Sequence, residues 1–582
     1  MALFGERRLI IKALAASLVA ALFAAPALAA TPIHVYQLAP VVERGKVIAL
    51  SVTLTLPADA DGETRLRVPS SAAAGRQLWR FIKDPVVTGG TLSATDEKTW
   101  VIRSKPRARL IVRYRVISAY DGPPPADSSG FDQPIVGPDG FYVLGRASLV
   151  RAQGRDGDRA RFVWEPGDSD LKFASDLEHI QKRPGTLDDI GSSTMLAGKD
   201  LRILTRKAGK APLRVAVRGE FGFKDEDFVD MAARVVSSIR AFWGGRGDPF
   251  LITMQDLDAP AGWISLHGTG LGDAFAVMSK RGQPLDDYRV FLAHEYFHTW
   301  NSQRIGGLVD GPSQPEGYWF SEGFTDYYAR RLALRSGLID LETFAADWNR
   351  TLEPYGISPV RTAPNADIVA RFWSNDDVHK LPYQRGAQFA VLMEARLKDK
   401  GGLDAILLAM RDRAKGNKDG TAWGGSVAGL FPRVVRARTG IDVTPEIERY
   451  IIAGEAIILP PDAFGGCLTV ETRTRPVFDA GFDLSETRRT RVVSGVVPDG
   501  PAYAAGLRNG MQYRGRDRGE DGDGSMEAGY AIRDGGPPTR VIRYMPAGKG
   551  TVSIQRIAVP KDLSPQAREA CVKAVAGSNS HT

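Results

Sequence analysis

The sequence predicts a multidomain α+β chain. A β-rich N-terminal domain spans residues 30–215, a mixed domain running into a helical region spans 216–460, and a second β domain spans 467–575. Three observations carry this. The 582 residues exceed what one hydrophobic core usually organises. Runs that alternate apolar with polar residues fill the first third and return near the end. Between them, apolar residues recur at helical spacing.

Residues 1–29 read as an export signal peptide. Arg7, Arg8 and Lys12 precede the apolar, Ala-rich "ALAASLVAALFAAPALAA". Ala27 and Ala29 offer the small residues of a cleavage site, so cleavage is expected after Ala29. An uncleaved anchor is the alternative, although the run is short for a membrane span. No cysteine follows the run, so a lipoprotein anchor is not expected. The mature chain is expected in the periplasm or secreted, with no stable membrane insertion. Of the formal charge of +8, the signal carries two, leaving a mild bias over a long chain. No basic stripe with interleaved aromatics appears, which argues against nucleic acid. The chain has two cysteines, Cys467 and Cys571. Export places them in an oxidising compartment, where they form either a disulfide or two buried thiols. A closed loop of that length is worth about 4–5 kcal/mol in the chain-entropy model.

In the first domain, "VIALSVTLTL" and "ARLIVRYRVIS" alternate and are rich in Val, Ile, Thr and Tyr, as strands are. "DGPPPADSSG" (121–130) is a loop by composition. No catalytic cluster occurs here. The character changes at 216. "DEDFVDMAARVVSSIRAFWG" is an amphipathic helix ending at glycine, and "PFLITMQDL" is strand-like. "DDYRVFLAHEYFHTWNSQ" and "YWFSEGFTDYYARRLALRSG" read as helices, and helices continue through "GAQFAVLMEARLKDK", "LDAILLAMRDRA" and "PEIERYIIAGEA". "ILPPDAFGGC" (458–467) reads as a linker. After it, "RTRVVSGVV", "TRVIRYM" and "GTVSIQRI" are β-like. "GRDRGEDGDGSMEAG" (515–529) lacks the ligand spacing of a calcium loop and reads as solvated.

The chemistry concentrates in "AHEYFHTWN" (293–301). Residues four apart share a helix face, so His294 and His298 can offer two imidazoles to one metal. Glu295 projects beside them, where a base could activate water. Catalytic zinc keeps three protein ligands and an open position. Glu322, on the next expected helix, supplies a third ligand. Asp326, one turn on, can accept a hydrogen bond from a ligand histidine and fix its tautomer.

"HEYFHTWNSQRI" and "FSEGFTDYYARRL" resemble the two zinc segments of the glycyl aminopeptidase family of gluzincin metallopeptidases. That resemblance implies a thermolysin-like catalytic domain between the β-rich N-terminal domain and a C-terminal PDZ-like domain. It implies one Zn2+ per chain on His294, His298 and Glu322, with Glu295 as general base and acid. "LPYQRGAQFAVL" is similar to a third family segment, a tyrosine before a basic residue and glycine at a helix start. This implies Tyr383 as hydrogen-bond donor to the tetrahedral intermediate, where negative charge builds on the former carbonyl oxygen. "VVSGVVPDGPAYAAGLRNGMQY" resembles part of a PDZ domain, a module that binds peptide termini by strand addition beside a backbone loop. The corresponding loop is "AGFDL" (480–484), where Asp483 would repel a carboxylate. The expected role is therefore packing or substrate steering.

One segment departs from the pattern. Aminopeptidases of this clan carry a glutamate that holds the substrate's free amine, in a segment similar to Gly-Gly-Leu-Glu-His. Here the stretch is "AGWISLHGTGLGDAF". If His267 matches the family histidine, Leu266 stands where the glutamate belongs, and a leucine leaves an ammonium unpaired. Asp273 and Glu316 are candidate replacements, and His267 and His379 are candidate cleft residues. The expected function is an exported zinc peptidase acting on peptides or proteins, an aminopeptidase for small N-terminal residues. The alternatives are an endopeptidase of the same mechanism and a non-catalytic zinc- and peptide-binding protein.

Overall fold

The computed structural model describes residues 33–70, 77–122, 133–181, 183–245, 248–257, 266–301, 303–308, 312–415, 426–519, 521–534, 536 and 538–577. The expected signal peptide and most of the 121–130 loop lie outside them.

The N-terminal region is β-rich. Its largest sheet orders its strands Gly185–Thr186, Arg159–Trp164, His34–Glu43, Lys46–Pro57, Arg109–Val116 and Ile82–Thr88. Val52, Leu54 and Leu56 pair with Tyr114, Val112 and Leu110, and all six are buried. Thr53 and Thr55 alternate to the other face. A one-residue slip would turn every one of those apolar side chains outward, which fixes the register. Two four-stranded sheets complete the region.

A five-stranded mixed sheet follows, ordered Arg202–Ala208, Ala211–Arg218, Phe250–Leu257, Ala274–Lys280, Leu266–Gly270. It starts at Arg202, so the boundary expected at 216 falls inside its second strand. Alternating strands look alike on both sides of a domain border, and composition changes only at the helix Asp225–Trp243. The middle three strands run parallel, while Leu266–Gly270 lies antiparallel at the edge. Asp225–Trp243 opens on three acids, suited to its N-terminal dipole, and closes at Gly244 with φ 59°. Its apolar face shares one core with the sheet and with the helices Asp287–Phe297, Gly323–Arg335, Leu341–Ile357 and Asp376–Leu397.

The expected linker at 458–467 is packed rather than loose. Leu459 is 2% exposed and Phe464 4%. The Gln555 side chain brackets Leu459, accepting from its N–H (2.9 Å) and donating to its carbonyl (2.8 Å). The Gly pair there serves turns, with φ 76° at Gly465 and 77° at Gly466. Thr469–Phe478 and Ala547–Ala558 form an antiparallel ribbon. That ribbon and the last helix, Pro565–Ala576, belong to the core of the helical region through Val470, Ile557, Cys571 and Val575. Residues 478–544 have a core of their own, built on Phe482, Val493, Leu507, Tyr530 and Ile542. The run at 489–497 is not the strand its composition suggests. Its first residues end the helix Leu484–Thr490, which Asp483 caps by accepting from Glu486 N (2.9 Å). Cys467 and Cys571 are joined in a disulfide, Cα–Cα 5.6 Å. Among the described residues, no helix is long and apolar enough to cross a membrane.

Candidate metal centre

The helix Asp287–Phe297 buries Tyr288, Leu292, Ala293 and Phe297. That burial sets its rotation and turns His294 and His298 to the opposite side. Glu322 sits at the junction between Tyr318–Ser321 and Gly323–Arg335. The three side chains converge. His298 Nε2 lies 3.1 Å from Glu322 Oε2 and 3.1 Å from His294 Nε2, and His294 Nε2 lies 3.5 Å from the same carboxylate oxygen. One ligand atom from each falls within 4.8 Å of the others.

The far side of His294 is held too. Its Nδ1 lies 2.8 Å from Asp326 Oδ1. Asp326 is braced in turn by Arg330, whose Nη1 donates to the Asp326 carbonyl (3.1 Å) and pairs with Oδ2 (3.4 Å). Arg330 is anchored by Asp347 and by Thr351 Oγ1 at 3.0 Å. Sequence reasoning missed this arginine, although its place one turn after Asp326 marks the same helix face.

The electrostatics follow from this chain of contacts. Burial opposes ionisation of Glu322, but the two imidazoles outweigh it and hold its carboxyl well below the usual range. Burial likewise opposes Asp326, and Arg330 and His294 reverse the effect. Burial would lower His294, but the hydrogen bonds it donates to the Asp326 and Glu322 carboxylates raise it to about 10. Among the described residues Glu295 shows no such bond, and burial pushes its carboxyl up despite the nearby imidazoles.

Tyr383 arrives from a third helix. Asp376–Leu397 begins at Asn375, whose Oδ1 accepts from Asp377 N (3.1 Å) and Val378 N (3.0 Å). Tyr383 therefore lies two turns inside the helix, not at its start. Pro382, which suggests a start, is accommodated within it. What brings the tyrosine close is a glycine contact. A Cβ on Gly386 would stand 2.0 Å from the Trp319 carbonyl oxygen, and one on Gly323 would stand 2.4 Å from Gly386 Cα. With both side chains absent the two helix backbones touch, one residue from Glu322 and one turn from Tyr383. The Tyr383 ring then stacks near His294, centroids 6.2 Å apart at 20°. Burial, and then the Glu322 carboxylate, push its hydroxyl well above its ordinary pKa, so it stays a donor. His379, one turn earlier, tilts on Phe372 (4.3 Å), and burial lowers it toward the neutral form.

The edge strand Leu266–Gly270 runs beside the motif helix. A Cβ on Gly268 would meet Phe291 at 2.7 Å, and one on Gly270 would lie 3.8 Å from His298 Cβ. These positions face the helix, so alternation puts His267 and Thr269 on the other face. There Arg146 of the N-terminal region donates to Thr269 Oγ1 (3.0 Å). The strand's alternation thus turns His267 away from the His294, His298 and Glu322 cluster. Leu266 stands roughly 13 Å back along the strand from Gly270, packed on the core. Asp273, on the following turn, is paired with Arg304 (3.2 Å). Glu316 is exposed.

A model of the M61 glycyl aminopeptidase family matches residues 287–370. The match takes in His294, His298, Glu322 and Asp326 but stops before Tyr383. No curated protein matches the sequence. Among solved structures, an aminopeptidase N family protein from Idiomarina loihiensis is similar over 93% of this chain and 100% of that one, with TM-score 0.67 and 15% identity. An M1 zinc metallopeptidase from Deinococcus radiodurans is also similar, over 74% and 95%, with TM-score 0.46 and 16% identity. The chain is a multidomain α+β protein with an aminopeptidase-like fold, and the family match across its metal-motif segment supports a metallopeptidase.

Proposed function

We propose that this protein is an exported zinc peptidase. The observation that carries the reading is the convergence of His294, His298 and Glu322 within 4.8 Å, with Glu295 beside them. Two imidazoles and a carboxylate are a donor set suited to Zn2+, and they leave positions open. A bound Zn2+ would supply Lewis acidity toward water and the peptide carbonyl. Glu295 takes the proton of the attacking water at its carboxylate and delivers it to the leaving amine. Burial, which raises its carboxyl above the ordinary range, makes it a better proton acceptor than an exposed glutamate. Tyr383 donates its hydroxyl hydrogen bond to the oxygen that becomes negative as the carbonyl is attacked. Asp326 holds the Nδ1 proton of His294 and so keeps Nε2 as its ligand atom.

The matched family suggests an aminopeptidase for small N-terminal residues. The endopeptidase reading has its own support. Gly270, not an acid, abuts the ligand helix, and Asp273 is already paired with Arg304. The Cys467–Cys571 disulfide supports export to an oxidising compartment. We read residues 478–544, PDZ-like by resemblance, as a steering or packing unit, since the chain turns into a helix where strand addition needs an extended edge.

The test is a paired peptide library with free and acetylated N-termini, read by mass spectrometry with Glu295→Gln as the blank. Trimming of free peptides alone supports an aminopeptidase. Internal cuts in both sets support an endopeptidase. Absence of cleavage by a zinc-loaded chain refutes the peptidase reading.

A further inference from the structure

A cavity of about 470 Å3 opens where the edge strand meets the end of the motif helix. Gly270 and Gly272 line it from the strand and turn, Gln303 from beyond the motif helix, and Arg146, Arg151 and Asp188 from the N-terminal region. Gly270 links it to the metal centre, because a Cβ there would lie 3.8 Å from both His298 Cβ and Gln303 Nε2. Among the described residues the strand Leu266–Gly270 has sheet partners on one side only, an edge along which a substrate chain can add. Continued past Gly270, that chain enters the cavity and meets the N-terminal region as its far wall.

The charges on that wall are unequal. Arg151 faces Asp156 at 3.4 Å and lies within electrostatic reach of Asp188. Arg146 is exposed, and its hydrogen bond goes to the neutral Thr269 hydroxyl. Among the described residues no carboxylate pairs with it. A substrate ammonium here would meet an uncompensated guanidinium. A carboxylate would gain a charge-assisted, fork-shaped hydrogen bond instead. Resting on the peptidase reading, we propose that this cavity is a subsite for a substrate carboxylate, from an acidic side chain or a free C-terminus, held by Arg146.

The test uses the full zinc-loaded chain and one cleavable peptide core. Glu, Gln or Lys is placed at each of the two positions flanking the cut, and in a separate arm the C-terminus is free or amidated. At one position, or at the free terminus, the carboxylate form should exceed its neutral counterpart in kcat/KM by about tenfold. The arm that responds identifies the source. Arg146→Gln should flatten that ratio, and Arg146→Glu should invert it toward Lys. Asp188→Asn should steepen it, by removing a like charge from a position that tolerates exposure. Peptide binding to Glu295→Gln, followed by calorimetry, should rank the same peptides in the same order and weaken with salt. Equal cleavage of all charge forms, or a preference that Arg146→Glu leaves unchanged, would overturn the subsite. Failure of every peptide to be cleaved while calorimetry keeps the charge order would instead count against the peptidase reading.

Discussion

Gly386→Ala adds one carbon where two helix backbones touch. The added carbon would stand 2.0 Å from the Trp319 carbonyl oxygen, 2.8 Å from its carbonyl carbon and 2.9 Å from Gly323 Cα. All three are backbone atoms, so no side chain can swing aside. The helices Gly323–Arg335 and Asp376–Leu397 must separate by at least about 1 Å, a strain that typically costs about 1–3 kcal/mol. Tyr383 lies one turn from the contact and Glu322 one residue from it. A displacement of that size at a reacting group costs on the order of 100-fold in rate. The assay pairs thermal melting, followed by tryptophan fluorescence with Trp319 at the contact, with peptide turnover and bound-zinc content. The expected result is a folded, less stable protein with turnover down about 100-fold. Gly323→Ala should behave alike. A Gly386→Ala protein with unchanged melting and turnover within twofold would refute the claim that this contact positions Tyr383.

Asp326→Asn should weaken zinc binding by about 10–100-fold in chelator competition, because an amide cannot match the carboxylate's hold on His294 Nδ1. Unchanged affinity would mean that Asp326 is only a packing residue. Metal uptake should release protons, since His294 is raised from 6.5 to about 10 in the metal-free protein and must be neutral to bind. Calorimetry in buffers of different ionisation heat reads that release directly. The same shift has a stability consequence. The folded metal-free chain binds this proton more tightly than the unfolded one, so the contribution is full below pH 6.5 and disappears as pH rises through about 10. Metal-free melting should therefore fall over that window more steeply than zinc-loaded melting. Reducing Cys467–Cys571, 104 residues apart, should cost up to about 4–5 kcal/mol, seen as a lower melting temperature with reductant. No change would place the stability of the last helix in its packing alone.

The convergence of His294, His298 and Glu322 was legible because the spacing is local. An i, i+4 histidine pair and a Glu-x-x-x-Asp turn each declare one helix face within a few residues. Tyr383 was legible only by resemblance, because its approach to His294 depends on a glycine-to-glycine contact across 63 positions of chain that no periodicity reveals. Arg146 was not legible at all, since it reaches Thr269 from 123 residues away. Composition misled in two places. Proline and glycine at 458–467 suggested slack, yet buried Leu459 and Phe464 make that segment part of the core. Alternation at 202–218 resembled the domain before it, yet its pairing belongs to the domain after it. Both errors share a cause, because neither turn residues nor period-two strands encode which sheet or core receives them.

The ribbon of Thr469–Phe478 with Ala547–Ala558 is, topologically, a hairpin whose turn has grown into a folded unit. Phe478 pairs with Ala547, so the chain leaves and re-enters at neighbouring points. A unit attached this way changes length at little entropic cost, about 0.6 kcal/mol per doubling of the loop, although Arg475 of the ribbon holds it through Asp523 (2.7 Å). The chain after the ribbon returns to the helical region. In its last helix, Ala576 accepts from Arg331 (3.1 Å) and Arg335 (2.6 Å) on the helix that follows Glu322. The appended unit and the His294–His298–Glu322 cluster thus lie on separate branches of the chain, joined through the ribbon and the last helix.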